Sequence, residues 1–111
     1  MNTLIPSQTL LQIRKDFGSK GDFIPEVWTH YEDLLDAVFK ALEQAQKENM
    51  LLSLIYRIDI PEADYNMAKK DPNFLTVLSE LVIKRAFIKV MLRNQYSLES
   101  TYSAWETLKE K

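Results

Sequence analysis

The chain of 111 residues contains no cysteine, only two glycines and a single histidine. Without cysteine it can form no disulfide, no thiolate zinc site and no cysteine nucleophile. One histidine excludes a metal site built from several histidines of one chain. No glycine-rich phosphate loop, Gly-x-Ser-x-Gly elbow or His-Glu-x-x-His motif occurs either. The sequence therefore favours a protein that is not an enzyme and that carries no metal or cofactor.

Neither sign of charge dominates, and no long apolar run is present. Fourteen Lys and Arg against sixteen Asp and Glu give a formal net charge of −2, which does not favour a nucleic-acid binder. The longest near-continuous apolar stretch, residues 50–56, is far shorter than the roughly 18 residues of a membrane span. The first ten residues include no basic residue and do not resemble a secretory signal. We expect a cytoplasmic protein that does not span a membrane.

The apolar content is sufficient for one hydrophobic core. Hydrophobic residues make up 46% of the chain, and domains of this size bury roughly 60–70% of the surface of the unfolded chain. No internal repeat and no long linker divides the sequence. We predict a single domain over residues 1–111, an all-α bundle of four to five helices around a long central helix at about 72–94.

Prolines and glycines mark the expected helix ends. A proline is tolerated in the first turn of a helix, where its missing N–H has no partner to lose. Such positions are Pro6, Pro25, Pro61 and Pro72. Asp71 and Pro72 have the pattern of an N-cap and a first helical residue, and 59–62 has the spacing of a capping box. The glycines in 18–22 predict the end of a first helix that begins near Leu4, and Ser97 predicts the start of the last one.

The clearest helical pattern runs from about Ile24 to Lys47. Its apolar residues alternate in steps of four and three, as in a heptad seam. They are Ile24, Trp28, Tyr31, Leu35, Val38, Leu42 and Ala45. Val27, Leu34 and Ala41 widen this seam into the broad apolar face of a bundle helix.

Residues 50–60 fit two patterns. Leu51, Leu54, Ile55 and Ile58 follow a helical period, whereas every second residue over 52–60 is apolar, as in a strand. Since no second strand of similar quality exists to pair with it, we predict a helix that ends before Pro61. The strand alternative requires a partner chain.

The segment 54–62 has two interpretations, because charged and apolar residues alternate just before the proline. It is either a recognition surface or a buried helix end whose Arg57 and Asp59 reach solvent.

The long helix at 72–94 carries apolar residues around almost its whole circumference. One side has Phe74, Leu78, Leu81, Ile88 and Leu92, and another has Ile83, Phe87 and Val90. Such a helix lies at the centre of a bundle or is shared with a second subunit. Because the second set is left over once the first faces the core, we predict a twofold homodimer. Complete burial of this helix within one chain is the alternative.

The last helix should dock onto the body of the domain through an apolar stripe. The stripe consists of Leu98, Tyr102, Trp105 and Leu108.

The candidate binding residues are Arg85, Lys89 and Arg93, which follow one another at intervals of four. Residues 84–93 contain four basic residues and no acid. Because a guanidinium binds phosphate or carboxylate well, these residues form a candidate anion site. Alternatively, Arg85 is partly buried and forms a structural ion pair with an acid of another helix. Its candidate partners are Asp33, Asp36, Asp59 and Asp64.

His30 is the only candidate proton carrier. On a helix it would share a face with Glu26 and Asp33, an arrangement that suits a general base or a weak metal site. The alternative is a solvated helix face, and we assign no catalytic residue. The sequence thus predicts a helical interaction or scaffold module that acts through protein–protein contacts. An anion-binding protein or an enzyme that uses the basic cluster is the alternative.

Overall fold

A computed structural model describes residues 3–111, and this part of the chain folds into α-helices without a strand. The helices are α1 (Ile5–Phe17), α2 (Tyr31–Lys47), α3 (Leu51–Ile58), α4 (Glu62–Lys69), α5 (Phe74–Arg93) and α6 (Leu98–Lys109). A single 3₁₀ turn, Gly18–Lys20, follows α1. The predicted all-α bundle is confirmed, with six helices in place of the expected four or five.

The helix α5 is the centre of the bundle, and all five other helices pack against it. Ile83, Phe87 and Val90 have no solvent exposure, and the Phe87 ring lies 5.7 Å from the ring of Trp105 in α6. The expectation that these residues are left over for a second subunit is therefore wrong, because neighbouring helices cover them. Although α5 has 20 residues, no helix within residues 3–111 is long and apolar enough to cross a bilayer.

The helix α2 begins at Tyr31 and not near Ile24, because residues 21–30 form an irregular segment. Ile24 is still buried, but Val27 is 70% exposed and widens no apolar face. The carbonyl of Ile24 accepts a hydrogen bond of 2.7 Å from Arg14 Nη1 in α1, in place of a helical N–H. The heptad spacing over 24–31 thus reflects burial of side chains from an irregular segment and not a helix.

The helix α3 confirms the helical interpretation of residues 50–60. Its last residue is Ile58, and the next residue, Asp59, has a left-handed backbone with φ of 68°. Asp59 therefore terminates α3 and does not cap α4, whose N-cap is Pro61 without a side-chain hydrogen bond. The predicted capping box over 59–62 is wrong, because Asp59 is the left-handed residue that follows α3 and α4 starts without a side-chain cap.

The predicted start of α5 is two residues early. The Asp71 carboxylate accepts a hydrogen bond of 2.8 Å from the backbone N–H of Asn73, which forms a turn ahead of Phe74.

Two other predicted boundaries are confirmed. Ser97 caps α6 by accepting from the N–H of Ser100 at 3.1 Å, and α1 ends at Gly18, whose φ of 56° suits glycine.

Tyr31 is a buried polar residue of the core whose hydroxyl has no hydrogen-bond partner within residues 3–111. Its ring packs edge-on against Trp105, with 5.9 Å between centroids. Burial raises the pKa of Tyr31 well above its usual value, and the negative charges of Glu80, Glu32 and Glu106 raise it further.

We expect Tyr31→Phe to make folding less sensitive to alkaline pH. Because the pKa is raised in the folded state, the unfolded chain ionises first, near the reference pKa of about 10. The contribution of Tyr31 to the free energy of unfolding is therefore fully present below about pH 10 and is lost as the pH rises above that value. Urea unfolding at neutral and alkaline pH should show a smaller loss for Tyr31→Phe than for the wild type. Tyr56→Phe, at an 85% exposed position, is the matched control, and an equal loss in all three proteins would contradict the assignment.

Candidate functional site

Arg85 is partly buried and ion-paired, as one of the two sequence interpretations predicted. Its Nη2 donates to Asp59 Oδ2 at 2.7 Å, so Asp59 is the partner among the four candidate acids. The Arg85 side chain is 29% exposed and that of Asp59 72%. Because the acid is in solvent, we assign the pair a contribution of at most about 1 kcal/mol. The left-handed backbone of Asp59 places it at the end of α3, beside α5.

Lys89 and Arg93 face α1 rather than a common ligand site. Lys89 Nζ lies 3.2 Å from Asp16 Oδ2 and donates to the Ile58 carbonyl at 2.8 Å. Arg93 Nη1 donates to Gln12 Oε1 at 3.0 Å. The predicted anion-binding residues Arg85, Lys89 and Arg93 therefore bind three different side chains. Anion binding by this trio stays a prediction.

A third contact follows those of Lys89 with Asp16 and Arg93 with Gln12. Asn94 Nδ2 donates a hydrogen bond to Gln8 Oε1 at 2.9 Å. We call these contacts the α1–α5 ladder. Its rungs are Gln8–Asn94, Gln12–Arg93 and Asp16–Lys89.

His30 does not share a helix face with Glu26 and Asp33. It is the exposed, extended residue before α2, while Glu26 belongs to the irregular segment and lies 3.8 Å from Arg14. Asp33 accepts a hydrogen bond from the Thr29 hydroxyl at 2.9 Å. Over residues 3–111, no group of three or more histidine and acidic side chains could hold a metal ion.

A groove of about 450 Å³ lies between α4, α5 and α6. Apolar side chains of α5 and α6 line it, together with Lys84, Arg85 and Asp64. The apolar residues are Leu81, Ile88, Leu92, Leu98 and Tyr102. We call this the basic groove.

The basic groove contains two cations, Lys84 and Arg85, and one acid, Asp64. Lys84 Nζ lies 5.7 Å from the centre of the Tyr102 ring and pairs with no carboxylate in the described part of the chain. Arg85 Nε is buried and has no hydrogen-bond partner among residues 3–111. The groove thus combines apolar walls with one lysine that is free to bind an added carboxylate.

A second groove of about 380 Å³ lies on the other side of α4, between α3 and α4. Leu52, Tyr56 and Tyr65 provide its apolar lining, and Asp59 and Glu62 provide acidic groups. We call this the acidic groove. Tyr56 is 85% exposed, so most of its aromatic ring is in contact with water.

The two grooves meet at Ile60 and Pro61, which line both. The two residues just before α4 therefore separate the grooves. Of the two interpretations of segment 54–62, the structure supports the buried helix end, and a recognition surface there stays a prediction. Leu54 and Ile58 are buried, whereas Tyr56 and Asp59 belong to the acidic groove. Arg57 was expected to reach solvent, and although exposed it also donates to the Phe17 carbonyl at 3.3 Å.

Leu98 and Tyr102 are site residues that the sequence assigned to the core. They are about half-exposed, while Trp105 and Leu108 of the same helix are buried. The spacing of four residues between Leu98 and Tyr102 was the available signal, because it places both on one side of the apolar stripe.

Comparison with protein-family models, curated proteins and solved structures yields no match to this chain. Its function is therefore inferred from the geometry and charge of the two grooves.

Proposed function

We propose that this chain is a non-enzymatic helical interaction module that binds a polypeptide on the face formed by the basic and acidic grooves. The observation that carries this proposal is the concentration of exposed apolar side chains there. Five of the eleven large apolar residues exposed within residues 3–111 lie on this face. They are Leu52, Tyr56, Leu92, Leu98 and Tyr102. Contiguous apolar patches rimmed by polar groups are typical of interaction surfaces.

The charged groups of this face suit contacts between polypeptides better than contacts with nucleic acid. Lys84 and Arg85 are flanked by Asp59, Glu62 and Asp64. Because these acids repel a phosphate backbone, the face does not favour nucleic acid. A mixed rim with apolar walls is instead typical of protein interfaces. The cytoplasmic location and the homodimer stay predictions under this proposal.

Site-specific photo-crosslinking tests the proposed face. A photoreactive phenylalanine analogue replaces Tyr56 or Tyr102 in cells that produce the protein. Leu11 and Val27 are matched control positions, since they are 63% and 70% exposed and line neither groove. We expect crosslinked protein adducts from the two groove positions and far weaker ones from the controls. Equal yields from all four positions would overturn the proposal.

A further inference from the structure

One side of the central helix α5 has no other helix of residues 3–111 packed over it. All five other helices contact α5, but between α4 and α6 its surface forms the floor of the basic groove. Leu81, Ile88 and Leu92 lie on this floor. At about 100° per residue, the three side chains project within about 40° of one another. Since Leu92 is 46% exposed, the floor is an open apolar stripe along α5.

The two edges of this stripe carry opposite unpaired charges. Lys84 lies on the edge beside α6, because its ammonium is 5.7 Å from the centre of the Tyr102 ring. Asp64 belongs to α4 and lies on the opposite edge. Neither Lys84 nor Asp64 has an ion-pair partner in the described part of the chain. Arg85 adds no unpaired charge, since it is already bound to Asp59.

We infer that the basic groove binds an amphipathic α-helix of a partner protein, with basic residues along one edge of its apolar stripe and acidic residues along the other. This inference rests on the proposed function and names the class of partner. A helix suits the groove because α4 and α6 flank the floor, and the floor residues have the spacing on which a neighbouring helix packs. The floor from Leu81 to Leu92 extends over about 16 Å, so the bound segment has about three turns.

The opposite edges distinguish this partner from other polypeptides. A helix with acids along both edges would place some of them beside Asp64, and a helix with bases along both edges would place some of them beside Lys84. Like charges that face each other across an interface reduce affinity. An extended peptide would need the edge of a sheet to pair with, and residues 3–111 form no strand. A helix with one basic and one acidic edge therefore fits the groove best.

Three synthetic peptides test the inference. All have the same leucine stripe and a hydrocarbon staple on the outer side, since a short isolated helix is only marginally stable in water. Their edges are one basic and one acidic, both acidic, or both basic. In fluorescence anisotropy titrations, the peptide with mixed edges should bind the wild type at least about fivefold more tightly than the other two. Binding of the mixed peptide weaker than about 1 mM, or equal affinities for all three, would overturn the inference.

Reversing one edge of the groove should change which peptide binds most tightly. Lys84→Glu makes both edges acidic, so the peptide with two basic edges should become the tightest ligand. Asp64→Lys makes both edges basic and should favour the peptide with two acidic edges. A misfolded protein could not produce these opposite preferences. Lys15→Glu, at an exposed position on α1, is the matched control and should keep the wild-type order. The wild-type order in all three variants would overturn the inference.

The apolar floor is tested with a second pair of variants. Leu92→Glu should weaken binding of all three peptides at least about tenfold, because the carboxylate would be buried against the leucine stripe. Leu11→Glu is the matched control, since Leu11 is 63% exposed and does not line the groove, and it should leave the affinities unchanged. Equal effects of the two substitutions would overturn the inference.

Two further measurements distinguish a partner helix from other occupants. A mixed-edge peptide with a central proline in place of the staple cannot form a continuous helix and should bind at least about tenfold more weakly. Equal binding would mean that the occupant is not a helix. Light scattering of the wild type and Leu92→Glu tests for a second copy of the chain. A wild-type dimer that Leu92→Glu dissociates would mean that a second copy occupies the groove. Either result would overturn the inference.

Failure of this inference and failure of the proposed function give different results. A protein that binds no helical peptide but still crosslinks to another protein from Tyr56 and Tyr102 overturns the partner helix and supports the interaction face. Equal crosslinking from Leu11, Val27 and the groove positions overturns the proposed function and, with it, the partner helix.

Discussion

Phe87→Ala should lower the free energy of unfolding by about 4 kcal/mol, the cost of removing a large buried ring and leaving a cavity. This is a substantial part of the roughly 5–15 kcal/mol that stabilises a typical domain. Phe87 has no solvent exposure and lies against Trp105 at the centre of the bundle. The five helices packed around α5 leave the surrounding side chains little freedom to fill the cavity. Urea denaturation followed by circular dichroism measures the change.

Leu11→Ala is the matched control for this substitution, because Leu11 also lies on a helix but is 63% exposed. We expect its effect to stay within about 0.5 kcal/mol. A loss below about 1 kcal/mol for Phe87→Ala would show that α5 is not the centre of the folded core.

Asp16 and Lys89 should show a strong energetic coupling, of about 2 kcal/mol in a double-mutant cycle. Their side chains are only 11% and 23% exposed, so removing one partner leaves the other charge poorly solvated. Asp16→Ala and Lys89→Met should each destabilise the protein, and the double variant should lose less than the two single losses added together. Urea unfolding of the four proteins gives the coupling.

The surface pair Asp59–Arg85 is the matched comparison for this cycle. Its acid is 72% exposed, so we expect a coupling below about 1 kcal/mol that falls further with added salt. Asp59→Asn is the suitable variant, because asparagine tolerates the left-handed backbone of that position. Equal couplings in the two cycles would contradict the difference in burial on which the prediction depends.

Periodicity was sufficient to predict the helices but not all of their ends. Apolar spacing located α2 because Tyr31, Val38 and Leu42 do face the core. The same spacing continued back to Ile24, which is buried in an irregular segment. A pattern of apolar residues reports which side chains are buried, and backbone hydrogen bonds decide whether the chain between them is helical.

The environment of α5 could not be predicted from its own sequence. Apolar residues around its whole circumference indicated either a helix at the centre of the bundle or one shared with a second subunit. The choice depended on how many other helices of the chain pack against it. All five other helices do so, which buries Ile83, Phe87 and Val90 completely. The packing of distant segments, and not a local pattern, decided between the two.

The candidate site was predictable only in part. The sequence identified Arg85 as a partly buried cation and included Asp59 among its partners, but the left-handed turn that brings them together has no clear local signal. Leu98 and Tyr102 were assigned to the core because spacing alone does not give the width of a buried stripe. Both lie at its edge and are half-exposed.

The α1–α5 ladder has a consequence for how the chain folds during synthesis. Its rungs join residues that are 73, 81 and 86 positions apart, so α1 meets α5 only after many further residues have been made. An isolated helix of 13 residues is only marginally stable in water, and closing such distant contacts is slow. The part of α1 that packs on α5 therefore remains unprotected on the nascent chain until α5 has left the ribosome, whereas α3, which also packs on α1, is made earlier.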